Sequence, residues 1–332
     1  MGEARAYAAR ADDSWPDSAS IQVGEKLYAI KSVTLAKPMS GFIHEVLEVL
    51  RAHTGVDFTA YRPAMLERRI VGRMASIHIA SEADYLALLR SSAAEPISLL
   101  EKITIKVSRL YRHAPTFNCL RDTVLPALTE ARRGAPLRIW CAGCGTGEEA
   151  YTLAMLLEQA GIEGSIDATD IDPSALEFAR AGVFPLTATP ELPPGLKEAY
   201  LDPVVERGQP RYRAHDSLRS RIRFARHDVT SNVPPARHDE QFDLVSCRNV
   251  LIYLQPTAQA HATRRLIEMT RPGGVMCLGE AEWPQAELSS RLVPLPGKTR
   301  LFRVRPELAP DQHSPSLISQ PRPLAVSPPS PA

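Results

Sequence analysis

The chain has 332 residues, 44% hydrophobic and 23% charged, and its 39 basic and 38 acidic side chains nearly cancel. That composition excludes a collagenous, disulfide-stapled or wholly disordered chain, and the length suggests about two domains. A net charge of +1 gives no global attraction to nucleic acid or membrane, so any basic surface must be local.

No apolar run approaches the ~18–20 residues of a membrane span. The opening MGEARAYAARADDSW lacks the apolar core of a secretory signal. The expectation is a cytoplasmic, monomeric chain without membrane insertion or nucleic-acid partner. Five scattered cysteines, an odd number, fit a reducing compartment.

In chain order, residues 1–38 show no sustained period and are expected to be poorly ordered. Residues 39–120 read as helices. Ile43, Val46, Leu47 and Leu50 follow one buried face. Ser81 with Asp84 forms a capping box before Tyr85, Leu86, Leu88 and Leu89, and Ile97, Leu100 and Ile103 suggest a further helix. Between them YRPAMLERRIVGRM carries Arg62, Arg68, Arg69 and Arg73. Residues 51–112 hold ten Lys/Arg against six Asp/Glu, a surface that would attract acidic helices.

From 121 to 305 strand-like runs (LRIWCA, SIDAT, IRFAR, FDLVSC, VMCLG) alternate with helical text at 148–160, 173–181 and 256–270. That alternation predicts an α/β domain with a parallel sheet covered on both faces. Asp172-Pro173 is an N-cap and first-turn pair, and Gly182 a stop. RLVPL and TRLFRV around Pro296-Gly297-Lys298 predict a hairpin that adds an antiparallel strand. Residues 183–221 are too long for an ordinary connection and predict an inserted β-subdomain. Residues 306–332, with eight prolines and no glycine, are expected to be a disordered tail.

The sharpest feature is WCAGCGTGEE, residues 140–149, between a predicted strand and a helix. Gly143, Gly145 and Gly147 allow a tight turn and close approach of a ligand. Asp170, 23 residues after Gly147, ends the next strand and can accept the hydroxyls of a ribose. The spacing G-x-G-x-G departs from the dinucleotide fingerprint. Two carboxylates in the first turn, Glu148 and Glu149, would repel a pyrophosphate. They favour a cationic, phosphate-free ligand, S-adenosylmethionine. Cys141 and Cys144 make a C-x-x-C without a partner pair, which reads as small-residue packing, with no metal expected.

These strings, ERRIVGRM, GCGTGEEAYTLAM, ATDIDPSALEFARAG, FDLVSCRNVLIYL and RPGGVMCLGEAE, resemble the CheR family of chemotaxis-receptor methyltransferases over about residues 40–305. The resemblance implies an all-α N-terminal domain followed by a Rossmann-like class I S-adenosylmethionine-dependent methyltransferase domain with a small β insertion. It implies transfer of the cofactor methyl to glutamate carboxylates on the cytoplasmic helices of chemoreceptors, docked on Arg62, Arg68, Arg69 and Arg73.

The resemblance also implies that Gly143, Gly145 and Glu149 lie near the cofactor and that Asp170 holds its ribose. Asp228 (Asn in many relatives) and Val229 would sit at the adenine, and Arg248 and Asn249 close to the cofactor. Ahead of the sheet, Lys106-Val107-Ser108-Arg109-Leu110-Tyr111-Arg112 stands where the family carries Asn-x-Thr-x-Phe-Phe-Arg. Ser108 and Arg112 keep the hydroxyl and guanidinium. Lys106 replaces the amide, and an ammonium there would favour the product, which lacks the sulfonium. A substrate glutamate, with a pKa near ~4.3, is already ionised at neutral pH and needs no general base. Arg112 would orient it, with Tyr253 as a second positioning group. The alternative is a cofactor-binding regulatory or scaffold protein of a chemotaxis-like array, with weak or no catalysis.

Overall fold

The structure is a computed structural model that describes residues 19–23, 26–30, 40–104, 108–231, 241–297 and 299–306. The chain separates into two compact units, Met1–Ile103 and Thr104–Ala332. The change of periodicity at 120/121 falls inside the second. Lys106 and the tail beyond 306 lie outside the described residues.

In the first unit, the segment read as patternless contains a short antiparallel ladder, β1 (Ala19–Val23) with β2 (Lys26–Ile30). Four helices follow: α1 (Gly41–Thr54), α2 (Pro63–Ser76), α3 (Glu82–Ser91) and α4 (Glu95–Ile103). Ser40 caps α1 by accepting from Ile43 N, and Ser81 caps α3 by accepting from Asp84 N. Ile43, Val46, Leu47 and Leu50 are buried, as their period requires.

The second unit opens with α5 (Ala114–Cys119) and α6 (Leu125–Ala131), joined by a π-helical turn at Leu120–Val124. Pro126 follows at once, and the wider turn accommodates a residue that cannot donate to the helical ladder. Next come β3 (Leu137–Ala142), α7 (Glu148–Gln159), β4 (Gly164–Asp170) and α8 (Pro173–Ala181). Then follow β5 (Val183–Pro185), α9 (Leu196–Tyr200), β6 (Leu201–Glu206), β7 (Gln209–Ala214) and α10 (Asp216–Arg219). The chain continues with β8 (Ile222–Arg226), β9 (Phe242–Cys247), α11 (Pro256–Met269) and β10 (Thr270–Leu278). It closes with β11 (Leu292–Pro294) and β12 (Leu301–Val304).

Seven strands form one sheet in the order β11-β12-β10-β9-β3-β4-β8. The five from β10 to β8 are parallel, and the β11/β12 hairpin is antiparallel and adds to β10 through β12. β9 is buried at every position, as expected of a strand covered on both faces. β5, β7 and β6 form a separate antiparallel sheet within 183–214. Its neighbouring loop reaches back, since Leu110 N donates to Ala188 O at 2.9 Å.

α8 is fixed by its cap. Asp172 is fully buried; Oδ1 accepts from Ser174 N and Ala175 N, and Oδ2 from the Thr104 hydroxyl at 2.7 Å. Asp172→Ala removes the cap and the carboxylate that accepts from Thr104, so chemical denaturation should show a loss of about 2 kcal/mol. Asp172→Asn, which keeps an acceptor, should lose less.

Candidate active site

The candidate site lies at the carboxyl ends of β3, β4 and β9, where the first turn of α7 and the loops after β4 and β9 converge. The three glycines of the first loop all have positive φ, but for different reasons. A Cβ on Gly143 would lie 2.3 Å from Val250 Cγ2. On Gly147 it would lie 3.0 Å from Ala179 Cβ. Gly145 has nothing within 4 Å and borders open space. Of the three, only Gly145 borders open space. Gly143 and Gly147 make room for the protein itself.

Asp170 adjoins that open space. Its Oδ2 accepts from Gly145 N at 2.8 Å and its Oδ1 from Asp172 N at 3.0 Å. The loop is thus built around this carboxylate.

The two glutamates of the first helical turn diverge. Glu149 points at the sheet: Oε1 accepts from Ser246 Oγ at 2.6 Å, and Oε2 pairs with Arg248 Nη1 at 3.2 Å. Arg248 is buried and lies 4.9 Å from the Phe117 ring centroid. Burial alone would lower its pKa, but the charge and hydrogen bond of Glu149 raise it, so it stays charged. Glu148 turns the other way, where Thr146 Oγ1 donates to both its oxygens at 2.9 and 2.7 Å. Burial pushes its carboxyl up, and Thr146 only partly offsets that. The electrostatic expectation is therefore corrected in detail. Glu149 is neutralised by Arg248, and the acidic character at the open space comes from Asp170. Glu148 instead faces a cavity of 330 Å³ that Ser108, Arg109, Thr146, Phe178 and Arg211 also line.

Arg248 Nη2 donates to Arg112 O at 2.9 Å, so the same guanidinium ties the loop ahead of the sheet to the end of β9. That loop is strained, with Tyr111 and His113 at φ 61 and 68 on either side of Arg112. Several contacts hold it. Tyr111 N donates to Thr152 Oγ1 at 2.9 Å, His113 N to Glu191 Oε2 at 3.0 Å, and Arg109 pairs with Glu191 at 3.0 Å. Asp228 folds over its own turn, its Oδ1 accepting from Thr230 N and Oγ1 at 2.8 and 2.7 Å, and Val229 is buried. Asn249 has φ 61, and Tyr253 follows on a short 3-10 turn, half-buried.

Sequence reasoning missed Glu282. It is 1% exposed, and its carboxylate accepts from the backbone N–H groups of Asn249, Val250, Ile252 and Gly279. A glutamate just past an apolar strand, in GEAE, was the available signal. Glu191 and Ser246 were missed too; a lone serine inside FDLVSC is the readable sign of the second.

In the first unit, Arg73 corrects the docking set. Its guanidinium is bidentate on Glu95, at 2.8 and 2.6 Å, and Tyr85 Oη donates to the same carboxylate at 3.0 Å. Arg73 is an internal strut. Arg62, just before α2, and Arg68 are exposed, and Arg69 is half-exposed. Four of the five cysteines are buried. Cys141, Cys144 and Cys247 are buried, and burial pushes their thiols well above the usual range. Burial pushes Cys277 up to about 12. Among the described residues no group of three or more His, Cys, Asp or Glu is placed to hold a metal.

The residues present fit S-adenosylmethionine. A carboxylate stands beside open space at Gly145, next to a charge-balanced Glu149–Arg248 pair and a carbonyl-anchored Arg112.

Two outcomes follow. Gly143→Ala should destabilise the fold more than Gly145→Ala. Both meet the left-handed cost of ~1–2 kcal/mol, but only the first also collides with Val250, so Gly143→Ala/Val250→Ala should recover part of the loss in thermal unfolding. Alkylation of the native chain at mildly alkaline pH should leave the four buried thiols unmodified, with only half-buried Cys119 accessible, whereas the unfolded chain should react at all five cysteines.

The family described as CheR methyltransferase, SAM binding domain, matches residues 106–293, and its all-alpha domain matches residues 43–104. The chain is 32% identical to a chemotaxis protein methyltransferase of Listeria monocytogenes over 236 residues, covering 70% of this chain and 87% of that one. It is 30% identical to a probable biofilm formation methyltransferase, WspC, of Pseudomonas putida, covering 70% of this chain and 54% of that one. A 104.1 kDa protein from the hypE 3′ region of Rhodobacter capsulatus is 34% identical over 94% of this chain, which spans 33% of that protein's length. The chain therefore belongs to the CheR methyltransferase family, with an all-alpha domain followed by a Rossmann-like, S-adenosylmethionine-binding methyltransferase domain.

Proposed function

We propose that this chain methylates glutamate side chains on the cytoplasmic helices of chemoreceptors, giving glutamyl methyl esters. The observation that carries this reading is the strand-end cluster, in which one buried arginine, Arg248, joins Glu149 to the carbonyl of Arg112. That linkage, which holds the Arg112 backbone, supports the reading of Arg112 as the substrate-orienting arginine. The naming of the Listeria relative as a chemotaxis methyltransferase supports the same substrate class.

S-adenosylmethionine, when bound, supplies an electrophilic methyl group. The protein's own part is alignment and exclusion of water. Asp170 would accept the ribose hydroxyls, with Gly145 giving the space. Glu149 would lie near the ligand's methionine end, held by Ser246 and Arg248. Asp228 and Val229 would border the adenine and Asn249 the cofactor, with Ser108 on the loop ahead of the sheet. Lys106 belongs to the same proposal by sequence only. Arg112 would hold the substrate carboxylate in a plane, and Tyr253 would add a hydroxyl. The substrate is already ionised, so no proton has to be removed.

Arg62, just before α2, and Arg68 and Arg69 on it present positive charge that suits an acidic receptor helix. Among the described residues no helix is long and apolar enough to cross a membrane, which is compatible with action at the cytoplasmic end of a receptor. The WspC relative favours a second reading, the same chemistry in a sensory array other than chemotaxis.

Calorimetry should show micromolar binding of S-adenosylhomocysteine. Asp170→Ala should weaken it tenfold or more, since hydrogen bonds to a charged group are each worth ~1.5–3 kcal/mol. Tighter binding of NAD would refute the assignment. With labelled cofactor and receptor membranes, the wild type should incorporate base-labile methyl groups. Absence of incorporation alongside intact cofactor binding would mark a scaffold. Arg112→Lys keeps the charge but loses the planar fork, so turnover should fall far more than the unfolding midpoint; wild-type turnover would remove Arg112 from its role.

A further inference from the structure

Two loops at the carboxyl edge of the sheet share one acceptor. Glu282 Oε2 takes Gly279 N at 2.6 Å and Asn249 N at 2.9 Å. Its Oε1 takes Val250 N at 2.9 Å and Ile252 N at 3.3 Å. The carboxylate is buried beneath the ends of β9 and β10, within a turn closed by Glu282 N donating to Gly279 O at 2.9 Å. A Cβ on Gly279 would lie 2.7 Å from Glu282 Oε2, 2.8 Å from Asn249 N and 3.1 Å from Asn249 Nδ2. The glycine is what lets the carboxylate and the asparagine meet.

The conformation it holds is not one a chain adopts freely. Asn249 has φ 61, in the left-handed region that Asn tolerates better than most residues but that still carries strain. Next to it, the Val250 side chain packs against Gly143. Neither Asn249 N nor Val250 N has a strand partner to fall back on past the end of β9. Without Glu282 both would be unpaired donors next to buried groups.

We infer that Glu282 is the positioning residue of this methyltransferase: it holds Asn249 in its left-handed conformation at the cofactor site and acts on the cofactor through that residue. The inference rests on the proposed assignment of the strand-end cluster as that site. Both carboxylate oxygens act only as acceptors, each toward two N–H groups. Glutamine cannot replace it, because its amide nitrogen would turn N–H toward N–H on one side. The usual conservative change is therefore the disruptive one here.

The test uses the full chain in four forms, wild type, Glu282→Gln, Asn249→Gly and the double variant, with calorimetric affinity for S-adenosylhomocysteine and the thermal midpoint of each. Glycine takes a positive φ at no cost but has no amide. Glu282→Gln is expected to lower both the midpoint and the affinity, the latter on the order of tenfold. In the Asn249→Gly background the fall in midpoint should persist, while Glu282→Gln should change affinity less than about twofold, because the side chain through which it acts is gone. Wild-type affinity in Glu282→Gln, or losses that multiply in the double variant, would overturn the inference alone. No binding by the wild type would overturn the site assignment and the inference with it. If Glu282→Gln does not fold, Glu282→Asp, one bond shorter with its charge kept, is read by the same four-way comparison.

Discussion

Carboxylates at the carboxyl edge of the sheet hold the functional half of this molecule together. A parallel strand that ends in a sharp loop leaves backbone N–H groups without ladder partners, and buried donors of that kind are costly. Here Asp170 takes up Gly145 and Asp172, Asp172 takes up the start of α8, and Glu282 takes up four donors beyond β9 and β10. Burial pushes the Glu282 carboxyl up, and its backbone donors pull it back only in part. The loops at the strand ends are therefore positioned by side chains as well as by backbone bonds such as those from Gly143 N and Cys144 N to Thr169 O.

Steric fit acts alongside these bonds. Val250 fills the space that a side chain on Gly143 would need, and α8 fills that at Gly147. The glycine-rich turn is as much a packing device as a ligand cradle. The thiols of Cys141 and Cys144 beside it are buried, and burial pushes them well above the usual range.

The inserted segment belongs to this network as well. Glu191 pairs with Arg109 and accepts from His113 N, and Ala188 O accepts from Leu110 N. Arg112, between two residues with positive φ, is thus braced from the insertion on one side and by Arg248 on the other. A loop strained in this way keeps its shape only while its surroundings enforce it.

The sequence by itself determined the layout. Periods of two and 3.6 residues separated helices from strands, Asp172 and Gly182 bounded α8, and the run GCGTGEE marked the turn between β3 and α7. Those features are local, since caps, turns and faces depend on neighbours in the chain. Pairings between distant residues were decided only by the tertiary structure. The α2 text gave Arg73 the same standing as Arg68, yet Glu95, 22 residues away, claims its fork. Glu148 and Glu149 read as a joint negative patch, yet a helix turns consecutive side chains roughly 100° apart. One therefore meets Arg248 on the sheet and the other Thr146 in a cavity. Glu282, inside the run RPGGVMCLGEAE, was given no role by the sequence. Its work depends on donors some 30 residues earlier in the chain, and only the closed sheet brings them to it.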